Sequence, residues 1–414
     1  MTPTTLLCIY IALILLDFAV ETILSWLNGR CMGQPIPDVL AGIYDEEKYR
    51  RQQDYQRDNR RVARVKLCFD TVLTIAVLSF GIVGLVDTWT TEVTASTVAQ
   101  MLIFVALFSL VTTLLEIPFD YYDTFVIEER YGFNHSTRTT FWLDVVKSFF
   151  VSLVITSVIM AVIMLLYEAW GNLFWLWAGL IVSAVIIFFS LFYSNLIVPL
   201  FNKQTPLEEG PLREAIERTA SKARFSLRNV YVINGSKRSS HANAYFTGFG
   251  PKKRIVLYDT LIEQLTTDEI TAVLAHEMGH YRHHDILRGL VRSIVTIFVY
   301  LFIFSLVVDS EVLSQALGGE RASFPLSMIG FGLLLSPVGL VISPISAALS
   351  RRAEYRADRF AAELGLAQPL IDGLKKLSTN SLSNLTPHPA VVVMTYDHPT
   401  LAQRVTALMN YKSE

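Results

Sequence analysis

Charge is scarce in this chain. Only 17% of its 414 residues are Asp, Glu, Lys or Arg and 52% are hydrophobic, against about 25% charged in an ordinary soluble domain. That balance excludes a soluble enzyme of this size and requires a chain largely embedded in lipid. Cysteine is rarer still: there are three, an odd number, and Cys8 and Cys68 fall inside apolar runs. With no C-x-x-C, both a disulfide framework and a cysteine-built metal site are excluded. Excess charge of one sign is missing as well. A net charge of −2, with no basic stripe carrying interleaved aromatics, excludes a nucleic-acid partner.

What is present is a series of long apolar runs: Leu6 to Leu27, Leu67 to Val86, Val98 to Leu115, Val145 to Tyr167, Leu173 to Val198, Ile286 to Val308 and Phe324 to Leu349. Each suits a membrane helix of about twenty residues, so seven spans are expected. The first has no basic n-region or small-residue cleavage site and reads as a retained helix, not a signal peptide. Residues 28–66, 199–285 and the tail from Arg351 carry the basic residues, whereas 87–97 contain no Lys or Arg. By the positive-inside rule the amino terminus faces outward and the basic segments face the cytoplasm. Asp17, Glu21, Asp70, Glu116, Asp144, Lys147, Arg288 and Arg292 lie inside or beside the spans. Such groups face a wet interior, pair with one another, or snorkel to the interface.

The chemistry is concentrated in Ala275-His276-Glu277-Met278-Gly279-His280. Histidines four apart share a helix face and can reach one ion. Glu277 is turned off that face and placed to hold a water, so H-E-x-x-H reads as two zinc ligands and a general base. Thr267-Asp268 offers an N-cap, and Ile270, Val273 and Leu274 form an apolar stripe leading into the motif. A catalytic zinc takes three protein ligands and keeps a fourth position open. The third ligand is expected in Arg351-Arg352-Ala353-Glu354-Tyr355-Arg356-Ala357-Asp358: Glu354 as ligand, with Asp358 one turn on to hold the free ring N–H of a ligating histidine. The histidines precede the sixth span and Glu354 follows the seventh, so an out-and-back hairpin returns all three to one membrane face.

The main polar segment lies between the fifth and sixth spans. Pro211 to Ala223 reads as an amphipathic helix, Asn229 to Ile233 as a strand, Ser240 to Gly250 as a strand with a glycine turn, and Arg254 to Tyr258 as a third strand. A strand edge beside the zinc helix can pair with an extended peptide. His241 reads chiefly as a packing or hydrogen-bonding residue, with a fourth metal contact the lesser alternative; His283 and His284 read as interfacial. Asp397-His398-Pro399 followed by Arg404 reads as a helix start with a surface Arg, or as a segment folding over the zinc to stabilise an oxyanion.

These motifs, together with Tyr122 to Asn134, Pro199 to Lys203 and His241 to Phe246, resemble the integral-membrane zinc metalloproteases of the type I CAAX prenyl protease family nearly end to end. The resemblance implies an all-α polytopic membrane protein in which seven helices form a barrel around a water-filled chamber. A small α+β zinc metalloprotease domain stands on its cytoplasmic side. The expected division is residues 1–198 for spans one to five, 199–285 for the substrate strand and H-E-x-x-H helix, 286–350 for spans six and seven, and 351–414 for the part carrying Glu354. The resemblance also implies one Zn2+ per chain held by His276, His280 and Glu354, with Glu277 as base. Asn243, Ala244 and Tyr245 would line the peptide, and His398 and Arg404 would approach the scissile group. The implied substrate is a peptide or protein, possibly lipidated, cut near its C-terminus after a prenylated cysteine in a CAAX motif. The tail shows no dilysine-type retrieval signal and the chain no long insertions, which points to a bacterial inner-membrane member with its active site towards the cytoplasm. Two further readings stand beside this one. One is a membrane quality-control protease independent of prenylation; the other is a transporter or channel with a structural zinc, which would need a closed four-ligand site.

Overall fold

The computed structural model describes residues 1–225, 230–247 and 254–411. The first half is helical: α1 (Pro3–Arg30), α2 (Glu46–Ser79), α3 (Ile82–Val93), α4 (Thr97–Tyr122), α5 (Arg138–Trp170), α6 (Phe174–Leu196) and the short α7 (Val198–Phe201). Then come β1 (Gln204–Pro206), α8 (Pro211–Lys222), β2 (Val230–Ile233), β3 (Ala244–Thr247), β4 (Arg254–Tyr258), α9 (Asp259–Gln264) and α10 (Thr267–Arg282). The chain closes with α11 (Asp285–Ser305), α12 (Glu311–Ala316), α13 (Phe324–Glu363), α14 (Ala367–Asn380), α15 (Pro389–Thr395) and α16 (Leu401–Met409). The protein is therefore a mostly helical polytopic membrane protein with a small sheet.

Five segments are long and apolar enough to cross a membrane, or six when the bent pair α2 and α3 counts as one span. One of the five, residues 138–201, is interrupted by a 3-10 turn at Gly171–Leu173, and its halves α5 and α6 pack on one another. Val72, Leu114, Val158, Val299 and Val341 are exposed on these helices, as expected of surface facing acyl chains. The expected span at Leu67 to Val86 is not straight. It breaks at Phe80–Gly81 with a 57° bend, and Gly81, at a φ of 62°, lies against the backbone of Gly318. Asp45 caps α2, which continues from the polar segment into the apolar one without a break.

The sheet has the order β1-β2-β4-β3, with β2 and β4 parallel and the outer pairs antiparallel. The strand expected at Arg254 to Tyr258 forms over those residues, and the second is shorter than expected, Ala244–Thr247. Its predicted glycine turn and Asn229 lie outside the described residues. Strand β1, only three residues long and ending in Pro206, was not anticipated.

Helix α10 lies between two cores. Ile270, Leu274 and Met278 pack with the sheet and α8, and Ala272 and Ala275 pack with residues of α13, α14 and α16. Its cap is Thr266, one residue before the expected Thr267, in a reciprocal capping box with Glu269. Burial on both sides holds the motif helix as a fixed platform.

Candidate metal centre

His276, His280 and Glu354 offer ligand atoms that all lie within 4.8 Å of one another. The histidines come from α10 and Glu354 from α13, which pack together so closely that a Cβ at Gly279 would stand 2.8 Å from the Ala357 Cα. Glycine in the motif thus sets the helix spacing that brings the carboxylate to the rings.

Each histidine is held at its far nitrogen by an aspartate. His276 Nδ1 is 2.8 Å from Asp358 Oδ1, and His280 Nδ1 is 3.2 Å from Asp285 Oδ2. Each aspartate is in turn held by an arginine. Arg404 donates from Nε and Nη2 to Asp358 at 2.9 and 2.6 Å, and Arg356 donates to Asp285 at 2.7 Å. With Nδ1–H donated to carboxylate, both Nε2 lone pairs point inward. The Nε2 atoms are 3.2 Å apart, and Glu354 lies 3.4 Å from one and 3.1 Å from the other. Glu354 Oε2 is buried and makes no hydrogen bond. Two lone pairs and an unsatisfied carboxylate converging in this way are satisfied by a cation, and His, His, Glu is a recognised catalytic zinc set.

Burial pushes the His276 ring down, but the carboxylates of Asp358 and Glu354 beside it outweigh burial and raise it to about 9. His280 is also raised, because Glu354 overcomes the cost of its burial.

Glu277 is half-buried, off the ligand face, and near enough to His280 and Arg404 for its charge to act on both. His398 Nε2 stands 3.5 Å from Glu354 Oε1, with Nδ1 on Asp397 at 2.8 Å. Arg404 spends its fork on Asp358 and also lines the cavity beside the centre. Ala244 and Tyr245 lie on β3 and Asn243 immediately precedes it; β3 is an outer strand paired only with β4 among the described residues. His241 is absent from the metal cluster and bonds Glu128 instead, Nε2 to Oε2 at 3.1 Å.

Asp285 was missed from sequence. As the first residue of α11 it reads as an ordinary acidic residue at a helix start, yet the break at His284, in the left-handed region, turns it back onto His280. Among the polar groups in or near the apolar segments, Asp144 pairs with Arg238 at 2.7 Å and Lys147 donates to the Leu200 carbonyl at 3.0 Å. Asp17, Glu21 and Arg292 instead line a cavity of about 620 Å³ between α1, α11 and α13.

Residues 28–203 match the sequence model of the CAAX prenyl protease N-terminal region with five membrane helices, and residues 206–412 match that of peptidase family M48. A CAAX prenyl protease 1 homolog of Arabidopsis thaliana is 33% identical, covering 90% of this chain and 90% of its own. CAAX prenyl protease 1 of Saccharomyces cerevisiae is 32% identical, covering 96% and 94%, and the Homo sapiens homolog 31%, covering 91% and 89%. The crystal structure of S. mikatae Ste24p superposes with a TM-score of 0.93 at 31% identity, over 98% of this chain and 99% of that one. These relatives are eukaryotic, so the expected bacterial inner-membrane assignment is unsupported. The full-length protease match leaves the transporter reading without a feature in its favour.

Proposed function

Because this chain belongs to the CAAX prenyl proteases of peptidase family M48, a family of membrane metalloproteases, we propose that it is a zinc-dependent endopeptidase acting near the C-terminus of prenylated CAAX-type substrates. The observation that carries this reading is the convergence of His276, His280 and Glu354 with an aspartate behind each ring. Zinc held there would lower the pKa of a bound water to about 7 and polarise the scissile carbonyl.

The chain's own residues supply the rest. Asp358 and Asp285 orient the two imidazoles and keep their inward nitrogens unprotonated for the metal. Glu277 accepts the proton of the attacking water and returns it to the leaving amine. Arg404 fixes Asp358, and through it His276, while His398, which lines the adjacent cavity 3.5 Å from Glu354, would face the scissile group. The edge of β3 that has no partner strand among the described residues, with Asn243, Ala244 and Tyr245, pairs with an extended substrate through backbone hydrogen bonds.

Seven spans around a water-filled chamber are the favoured arrangement. It takes α2 and α3 as one bent span and residues 138–201 as a hairpin, and the polar cavity lined by Asp17, Glu21 and Arg292 supports a wet interior. The basic segments favour a metal centre on the cytoplasmic side. The test is cleavage of a farnesylated peptide and its unlipidated twin, each with and without a chelator. Chelator-sensitive cleavage that needs the farnesyl group supports the reading; equal cleavage of both peptides favours the quality-control protease.

A further inference from the structure

Two motifs play no part in the metal centre: Tyr122 to Asn134 and the segment around His241. The fold joins them. Glu128, at the end of a π-helical turn over Asp123–Glu128, accepts from the Tyr55 hydroxyl at 2.6 Å and bonds His241 Nε2 at 3.1 Å. The His241 ring lies against Phe133 with centroids 4.5 Å apart. Its backbone is pinned as well, the carbonyl accepting from Thr260 Oγ1 at 3.0 Å and the neighbouring Ser240 carbonyl from Gln264 at 2.7 Å. A π turn inside a helix is uncommon and frequent at functional sites, and here it carries the carboxylate that holds an imidazole.

That imidazole lines a cavity of about 590 Å³ that also receives Arg404 and His398. Two of its lining residues touch the metal ligands: His398 is 3.5 Å from Glu354, and Arg404 Nη1 is 3.6 Å from the same carboxylate. Its size falls within the range of about 300–1,000 Å³ typical of ligand pockets. The basic groups on its wall are His241, His398 and Arg404, and its one acidic side chain, Asp397, is engaged by His398.

Strand direction tells which end of a substrate would enter. Ser240, His241 and Ala242 come just before β3 and line the cavity. A peptide paired antiparallel with β3 runs opposite to it, so its C-terminal residues pass beyond Ala244 towards His241. For a substrate cut close to its C-terminus, those residues include the terminal carboxylate.

We propose that His241, braced by Glu128 and Tyr55, binds the free C-terminal carboxylate of the substrate in this cavity, making the enzyme selective for chain ends. The proposal rests on the protease reading above. With Nε2 engaged by Glu128, Nδ1 is the ring atom left to meet a second carboxylate. A charge-assisted bond of this kind separates an acid from an amide by about tenfold or more.

The experiment compares a farnesylated peptide ending three residues beyond the cysteine, as free acid and as C-terminal amide, on wild type and His241→Gln. The expected wild-type kcat/KM is at least about tenfold higher for the acid, and the acid-to-amide ratio falls towards one in the variant. Equal wild-type rates for acid and amide overturn the proposal. So does a variant that loses activity on both peptides in proportion, leaving the ratio intact. If neither peptide is cut by the zinc-loaded wild type, it is the protease reading that fails. Fluorescence anisotropy of the two labelled peptides on Glu277→Gln, with and without His241→Gln, then decides the carboxylate site: acid-selective binding lost with His241 upholds it, and equal binding overturns it.

Discussion

Gly279 and Ala357 are in backbone contact across α10 and α13, with no room for even one methyl group between them. The rings and Glu354 meet because these two residues are small. Gly279→Ala must push the helices apart or strain them, at a cost of about 1–3 kcal/mol for an overpacked contact. Lower zinc content and a lower melting temperature are expected together. Wild-type values of both would show that Gly279 does not set the spacing.

Glu277 lies off the ligand face, so its removal should separate chemistry from binding. Glu277→Ala is expected to keep its zinc and its melting temperature while losing turnover by at least about 10²-fold, the scale of a general base. Metal analysis alongside single-turnover cleavage checks this. Substantial residual cleavage would take the proton-transfer role away from Glu277.

The aspartates behind the two rings should behave alike. Asp285→Asn and Asp358→Asn are each expected to weaken zinc affinity or activity about 10–100-fold, as loss of an outer hydrogen-bond partner does elsewhere. Competition against a graded chelator measures the affinity. If Asp285→Asn binds zinc as wild type does while Asp358→Asn does not, the two arms are not equivalent.

Glu269 ties the start of α10 to α14 through Lys376 Nζ, 2.6 Å from Oε1. Burial pushes its carboxyl up, but Lys376 and the Thr266 cap outweigh that and leave it below its ordinary value. A depressed carboxylate contributes stability above its unfolded pKa of about 4.3, and the contribution is lost as pH falls through the lower folded value. Glu269→Gln keeps the capping box but removes the charge. Its melting temperature should fall short of wild type at about pH 6 to 8 and converge with it below about 4.3. A gap that stays constant down to acid pH would mean the charge contributes nothing.

The metal motif was legible because it is local: a spacing of four puts two rings on one face whatever surrounds them. Glu354 was legible at one remove, through the count of spans that returns it to the same side. Asp285 was hidden by a helix break at His284 that no Gly or Pro announces, and Gly279 by its place among the variable letters of the motif. Along α2 composition changes, from the charged residues after Asp45 to the apolar run, where backbone conformation does not. His241 was correctly weighted towards hydrogen bonding, but its partner Glu128 is 113 residues away, a distance that only tertiary structure closes.

Helix α13 is 40 residues long, with Pro337 and Pro344 inside it, about 60 Å at 1.5 Å per residue, and it carries Glu354 near one end of a rod whose other end, at Phe324 to Ser327, is buried among neighbouring helices. Tilting that rod to suit a thicker or thinner bilayer would swing the carboxylate against rings anchored on a different helix. Lipid then acts as a tuning screw on the coordination sphere, and turnover in nanodiscs of graded acyl length should pass through an optimum; a flat response would uncouple the two.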